Sequence, residues 1–227
     1  PKCHKIIGPG NAYATAAKRV LSNYIDSGLP AGPSECIILA DENADPEKVA
    51  LDWMIEAEHG PDSAALLVTN CEELVYKAAE IVERQLEKIS DKRREFVTTN
   101  FNTYGGAIIT ESLEESIDFV NDYAPEHMEV MTKEPFVVLP KIKNAGEILL
   151  GDYTPVTLCN FVLGPNAILP TGQFAKTYSS VSVMDFLKRS SVGYASRDGF
   201  EMVRDYAYKI ATVEGFDTHA LAVKERK

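Results

Sequence analysis

Short β-branched segments alternate along most of this chain with segments of helical periodicity, and this alternation constrains the fold more than any other feature. Strands that alternate with helices of ten or more residues are typical of parallel β-α-β units. We therefore predict an α/β fold of Rossmann-like parallel β-α-β units with a small helical C-terminal appendage. In such folds ligands bind at the carboxyl ends of the strands, where we expect the site.

Individual elements follow from the apolar pattern and from the residues that begin and end it. Asp45 followed by Pro46 is a helix cap with proline at the first helical position, and Gly28 would end the first helix. The predicted strands are residues 5–8, 36–41, 64–69, 107–110, 128–131 and 148–150. The predicted helices are residues 11–27, 46–59, 72–89, 112–123, 184–190, 199–213 and 218–224.

Charge and hydropathy indicate which partners and which cellular locations suit the protein. Asp and Glu total 34 against 23 Lys and Arg, and a net charge of −11 repels nucleic acid and anionic membranes. The longest apolar runs, residues 36–40 and 64–68, are far shorter than the roughly 20 residues that cross a bilayer, and no charged-then-apolar leader opens the chain. The cysteines form no C-x-x-C pair, so we expect a soluble, cytoplasmic protein. Because the chain begins at Pro1 without methionine, we also expect it to be part of a longer protein.

The turn Gly8-Pro9-Gly10-Asn11 joins a predicted strand to a predicted helix. Backbone N–H groups at a helix start can bind phosphate, which would make this a cofactor contact. Pro9 removes one donor, however, and the three-glycine dinucleotide fingerprint is absent. The pattern alone therefore favours a tight turn with Asn11 as helix cap over a cofactor contact.

Acidic and histidine side chains recur at spacings suited to chemistry. Asp52, Glu56 and His59 share one face of the helix predicted over residues 46–59. A carboxylate three residues before a histidine can form a two-ligand metal arm, and the alternative is a solvated acidic face.

Two further histidines have acidic neighbours. Glu126 and His127 adjoin in a predicted loop, where they could activate water and move protons, or could be ordinary polar surface residues. His219 lies in a polar turn close to Glu214.

Taken together, these segments resemble the histidinol dehydrogenase family, in the order in which the family carries them. The matching segments are KIIGPGNAYATAAKR, AGPSECIILAD, AEHGPDS, YAPEHMEV, NAGEILLGDYTP, GPNAILPTG, SVMDFLKRSS and VEGFDTHALAV. The resemblance runs over the whole chain but covers only the second half of a usual member. It implies that residues 1–33 are the remainder of a nucleotide-binding Rossmann-like domain, that residues 34–181 form the main α/β domain with the metal and catalytic site, and that residues 182–227 are a helical dimerisation segment.

The resemblance also implies an activity: zinc- and NAD-dependent oxidation of histidinol, an amino alcohol, through the aldehyde to the carboxylate in histidine biosynthesis. Glu126 would activate water for the second step and His127 would take the proton, while Asn11 would contact the cofactor. The zinc ligands would be Glu56, His59, Asn160 and His219. The substrate would contact Ser34, His127 and Glu214 as well as those four ligands. In a homodimer, Glu214 and His219 would serve the active site of the partner subunit.

Two departures from the family pattern concern the metal and the substrate. Glu56 stands where the family has a glutamine ligand, and Asn160, in Cys159-Asn160-Phe161, stands where it has the aspartate of a G-D-Y motif. The summed ligand charge is unchanged, which favours a retained divalent site. Ala167 replaces a histidine that helps to hold the substrate. Two alternatives therefore remain: a paralogue that oxidises another polar alcohol, such as a sulfonated propanediol, and a non-catalytic dimerising remnant that binds metal.

Overall fold

A five-stranded, wholly parallel sheet forms the centre of the molecule, whose computed structural model describes residues 2–226. The strand order is β3-β2-β1-β4-β5, so the direction of winding reverses between β1 and β4. This order confirms the predicted α/β fold of Rossmann-like units. The strands are β1 (Glu35–Ala40), β2 (Ala64–Thr69), β3 (Gly106–Ile109), β4 (His127–Met131) and β5 (Glu147–Leu150).

The helices of the described residues are α1 (Ala12–Leu21), α2 (Pro46–Trp53), α3 (Glu72–Leu86), α4 (Asp91–Phe101), α5 (Leu113–Tyr123), α6 (Pro135–Val138), α7 (Val156–Leu158), α8 (Arg197–Val213) and α9 (Asp217–Lys224). Those from α2 to α6 contribute side chains to the cores on the two faces of the sheet.

Each face of the sheet has its own hydrophobic core. On one face, Ile38 and Leu67 pack with Val49 and Trp53 of α2 and with Ala78 of α3. On the other face, Ile37, Leu39 and Val130 pack with Ile117 and Val120 of α5. The central strands are buried on both faces, which explains why they read in the sequence as continuous apolar runs.

Several predicted element bounds are wrong. The helix predicted over residues 46–59 ends at Trp53, and a separate 3-10 turn covers Glu56–Glu58. The strand predicted over residues 5–8 reduces to one bridge between Lys5 and Asp26. The helix predicted over residues 184–190 is only a 3-10 turn at Val183–Phe186.

The candidate residues lie at the amino edge of the sheet, and not at the carboxyl edge where we expected ligands. His127 and Glu147 are the first residues of β4 and β5, and Ser34 and Glu126 immediately precede β1 and β4. The connections explain this placement: α2 runs back from the carboxyl end of β1, so that the segment after it, with Glu56 and His59, returns to the start of β2.

The chain divides into two compact units, Pro1–Phe186 and Leu187–Lys227. The first contains the sheet, and the second contains α8 and α9, which pack on each other. Among the described residues, no helix is both long and apolar enough to span a bilayer.

Candidate active site

The acid–base pair predicted from the sequence is buried at the start of β4. Glu126 is 7% exposed and His127 is 4% exposed, which excludes the alternative that they are ordinary polar surface residues. Glu126 Oε2 accepts a hydrogen bond from the backbone N–H of Glu35 at 3.0 Å. The same oxygen is 3.8 Å from His127 Nε2, so these two functional groups face each other without a short hydrogen bond.

Burial sets the protonation of Glu126. Removal from water raises the pKa of its carboxyl to about 8, although the charge of His127 and the hydrogen bond from Glu35 both oppose the shift. The nearby carboxylates of Glu56 and Glu35 raise the pKa further. A carboxyl with a pKa near neutrality can exchange protons in both directions, as general acid–base catalysis requires.

His127 is paired on its other side with Glu147. Its Nδ1 lies 2.6 Å from Glu147 Oε1, and both side chains are more than nine-tenths buried. Burial alone would lower the pKa of His127, but the hydrogen bond with Glu147 and the charges of Glu126 and Glu56 outweigh burial and raise it.

Glu56 and His59 lie close together, but not on a continuous helix. The tightening of the chain into the turn Glu56–Glu58 brings His59 Nδ1 to 3.2 Å from Glu56 Oε2 and to 3.3 Å from the carbonyl of Ile55. The Glu56 side chain is 1% exposed while that of His59 is 48% exposed. The alternative of a solvated acidic face is therefore wrong.

Asp52, the third acidic residue of that predicted face, belongs to a different pair. It is buried near Glu129 of β4, and burial raises the pKa of both carboxyls, that of Asp52 to about 6. Glu129 Oε1 accepts a hydrogen bond from the backbone N–H of Val156 at 2.8 Å, which anchors the start of α7.

The chemistry of Glu56 fits a bound cation. Among the described residues, neither of its carboxylate oxygens has a hydrogen-bond partner of good geometry. A buried carboxylate without such partners is costly unless positive charge compensates it. Within residues 2–226, however, no three His, Cys, Asp or Glu side chains are close enough to form a metal site. Glu56 and His59 could therefore supply only two of the donors that a metal ion needs, and further donors would have to complete its shell.

Three further predicted site residues belong to other parts of the chain. Asn160 is half-buried in the π-helical turn Cys159–Leu163. Glu214 and His219 belong to the second unit, where both are exposed and the His219 ring lies 5.1 Å from that of Phe216. The structure therefore brings together Glu56, His59, Glu126 and His127 at one edge of the sheet.

The two remaining predicted residues are Asn11 and Ser34. Asn11 Oδ1 accepts a hydrogen bond from the backbone N–H of Ala14 at 3.0 Å, so its interpretation as the cap of α1 is confirmed. Its contact with a cofactor stays a prediction. The backbone carbonyl of Ser34 accepts a hydrogen bond from Ala64 at 2.9 Å, which joins the starts of β1 and β2.

Two residues of this site escaped the sequence analysis. Glu147 contacts His127 directly, and the buried thiol of Cys159 in turn donates a hydrogen bond to Glu147 Oε2. Burial first, and then this contact, raises the pKa of Cys159 to about 12. The detectable signal was a glutamate at the first position of the apolar segment E-I-L-L, where a side chain facing the buried sheet needs a polar partner.

Comparisons with known proteins identify the family of this chain. The family model for histidinol dehydrogenase matches residues 1–227. A histidinol dehydrogenase from Synechocystis sp. is 52% identical over 226 residues, which are 100% of this chain and 52% of that protein. A histidinol dehydrogenase homolog from Colwellia psychrerythraea is 49% identical, over 98% of this chain and 50% of that protein.

A solved structure leads to the same family. The crystal structure of histidinol dehydrogenase from Elizabethkingia anophelis superimposes with a TM-score of 0.93 at 34% identity, over 99% of this chain and 51% of that chain. The chain spans about half the length of the curated relatives described above. By sequence and by fold, it belongs to the histidinol dehydrogenase family.

Proposed function

We propose that the protein oxidises histidinol through the aldehyde to the carboxylate, with NAD as oxidant and zinc as a required metal. The observation that carries this proposal is the buried pair of Glu126 and His127, in which the pKa of Glu126 is raised to about 8. Oxidation of an alcohol to an acid needs one group that accepts the hydroxyl proton and one that activates water. Two adjacent groups at one edge of the sheet can supply both roles.

Each residue then has a definite role. His127 accepts the proton of the substrate hydroxyl through Nε2, because Nδ1 is occupied by Glu147. Glu126 removes a proton from the water that adds to the aldehyde. Glu56, His59, Asn160 and His219 would hold zinc, Asn11 would contact NAD, and Ser34 and Glu214 would contact the substrate. When bound, zinc would polarise the reacting oxygen and NAD would take up the electrons of each oxidation.

Assembly and location belong to the same proposal. The working unit is a homodimer in the cytoplasm, in which Glu214 and His219 of each protomer serve the site of the other. The position of both residues in the second unit of the chain supports this arrangement.

A second substrate class is favoured by two residues near the end of the first unit. Phe161 is 78% exposed in the turn that carries Asn160, and Ala167 offers no hydrogen bond where the family has a histidine. A pocket with these residues would accept a polar alcohol without an imidazole, such as a sulfonated propanediol.

Product analysis with the purified protein tests the reaction. NAD reduction and acid formation should be measured with histidinol and with a sulfonated propanediol, in the presence of zinc. Glu126→Gln should slow acid formation about 10²-fold or more and alcohol oxidation much less, whereas His127→Asn should slow both steps.

The controls separate the alternatives. A metal chelator should abolish turnover, and added zinc should restore it. Preference for the propanediol would identify a paralogue. Zinc binding without turnover of either alcohol would contradict the proposal and identify a non-catalytic metal-binding protein.

A further inference from the structure

Glu147 and His127 are direct cross-strand neighbours at the amino edge of the sheet. The register of β4 and β5 pairs His127 with Glu147, so their side chains leave the sheet on the same face. The side chains are 5% and 7% exposed, and Nδ1 and Oε1 are 2.6 Å apart. This contact is short enough to fix the plane of the imidazole ring.

The chemistry of the contact determines where the histidine proton is. An ionised carboxylate can only accept hydrogen bonds, so the atom that faces it, Nδ1, must carry a hydrogen. In the neutral ring Nε2 is then left without a hydrogen, and Nε2 is the atom that faces Glu126 at 3.8 Å. The ring therefore presents its basic nitrogen to the side where Glu126 lies.

Glu147 is itself held in place by Cys159. The thiol donates a hydrogen bond to Oε2, the oxygen that does not contact His127. Among the two groups of this contact only the thiol carries a hydrogen that can be donated to a carboxylate. Each carboxylate oxygen thus has one partner, and the carboxylate has little freedom to turn away from the histidine.

We propose that Glu147 is a positioning residue: it holds His127 in the tautomer with hydrogen on Nδ1, so that Nε2 can accept the substrate proton. The expected kinetic consequence rests on the proposed function, because it assigns proton acceptance to His127. The tautomer itself does not depend on any activity.

The direct test is ¹⁵N NMR of the purified protein labelled at histidine. Spectra are recorded at alkaline pH, where the ring is neutral, and His127 is assigned by comparison with His127→Asn. Wild-type His127 should carry its hydrogen on Nδ1. Neutral imidazole in water favours hydrogen on Nε2, so Glu147→Leu should move the hydrogen of His127 to Nε2. His4, His59 and His219 should keep their signals as internal references.

Two further variants separate positioning from a purely structural role. Glu147→Gln keeps an acceptor oxygen and should retain Nδ1 protonation in most molecules. Cys159→Ala removes only the second contact of Glu147 and should leave the tautomer unchanged. In turnover assays Glu147→Leu should lower kcat at least about tenfold with little change in KM, and Glu147→Gln should recover part of it.

The proposal fails if neutral wild-type His127 carries its hydrogen on Nε2, a result that needs no variant to fold. It also fails if Glu147→Leu folds and retains hydrogen on Nδ1. Absence of alcohol oxidation would overturn the proposed function alone, because the tautomer of His127 would still decide the role of Glu147.

Discussion

At the scale of single residues, the buried carboxyl of Glu126 should make the stability of the protein depend on pH. Its pKa is raised by burial from an ordinary 4.5 to about 8, so between these values the folded state binds more protons than the unfolded state. Stability must then fall as pH rises through this range. The raised pKa of His127 acts in the same direction, because its contribution is present at low pH and is lost as the ring loses its proton.

Glu126→Gln isolates the contribution of the carboxyl. The variant cannot ionise at this position, so its stability relative to wild type should increase by on the order of 3 kcal/mol between pH 5 and pH 8. Urea unfolding at the two pH values measures the difference. Glu80→Gln, the same change at an exposed position of α3, is the matched control and should show no such trend. A pH-independent difference for Glu126→Gln would mean that the carboxyl ionises normally.

At the scale of elements, the pairing of β4 with β5 depends on the absence of a side chain at Gly146. A Cβ there would lie 2.6 Å from the backbone carbonyl oxygen of Glu126, which cannot move without displacing Glu126 and His127. The N–H of Gly146 donates to the carbonyl of Pro125 at 2.9 Å, and that of Glu147 donates to the carbonyl of Glu126 at 3.0 Å. The close approach of the two backbones therefore places the Glu147 side chain within hydrogen-bonding distance of His127.

Substitution of this glycine should harm both stability and function. We expect Gly146→Ala to destabilise the protein by about 1–3 kcal/mol, the usual cost of overpacking, and to weaken the contact between His127 and Glu147. Thermal unfolding and the histidine NMR spectrum measure the two effects. Gly193→Ala, where an added Cβ meets no atom within 4 Å, should change neither. Equal stability of Gly146→Ala and wild type would contradict this account.

How well an element could be predicted depends on whether its own side chains determine it. β1 and β2 were predictable because continuous apolar runs bounded by polar residues have few other interpretations. α4, with sequence DKRREFVTTNF, was missed because it has no apolar stripe, and only Val97 and Asn100 of it are buried. Its position depends on tertiary contacts such as the hydrogen bond from Asn100 to the carbonyl of Ser63, which no local pattern reveals.

The same distinction applies to the site. Glu126 and His127 could be singled out because they are adjacent in the chain. Glu147 lies 20 residues from His127, and their contact follows from strand register, which the sequence alone does not specify. The end of α2 at Trp53 was equally hidden, since four of the five residues 54–58 are good helix formers, yet the chain turns there and buries Glu56 and Ala57.

At the scale of the whole molecule, the second unit has an apolar face that favours association. α8 has no buried residue, and along one of its sides Met202, Tyr206, Ile210 and Val213 are each more than half exposed. Apolar side chains at this helical spacing usually mark an interface. Because the chain carries a net charge of −11, association with a partner rich in acidic residues is unfavourable unless the contact surface is apolar. This face of α8 meets that condition.

A shared active site makes a quantitative prediction for mixed dimers. If His59 and His219 of different protomers meet in one site, each heterodimer of His59→Ala and His219→Ala chains contains one intact site and one doubly altered site. Neither variant alone should be active, but random exchange should restore about a quarter of wild-type activity.

Mixing His59→Ala with Glu56→Ala chains is the matched control for that experiment. Both residues lie in the first unit, so every site of that heterodimer lacks one ligand and no activity should return. Differently tagged chains establish that exchange has occurred. If the first mixture stays inactive after exchange has been proven, all four ligands lie within one chain. Recovery of activity in both mixtures would show that the substituted residues are not required in the same site. Recovery of activity in the first mixture alone would make the dimer the catalytic unit, because only in that mixture does the exchange of chains combine His59 of one protomer with His219 of the other in one site.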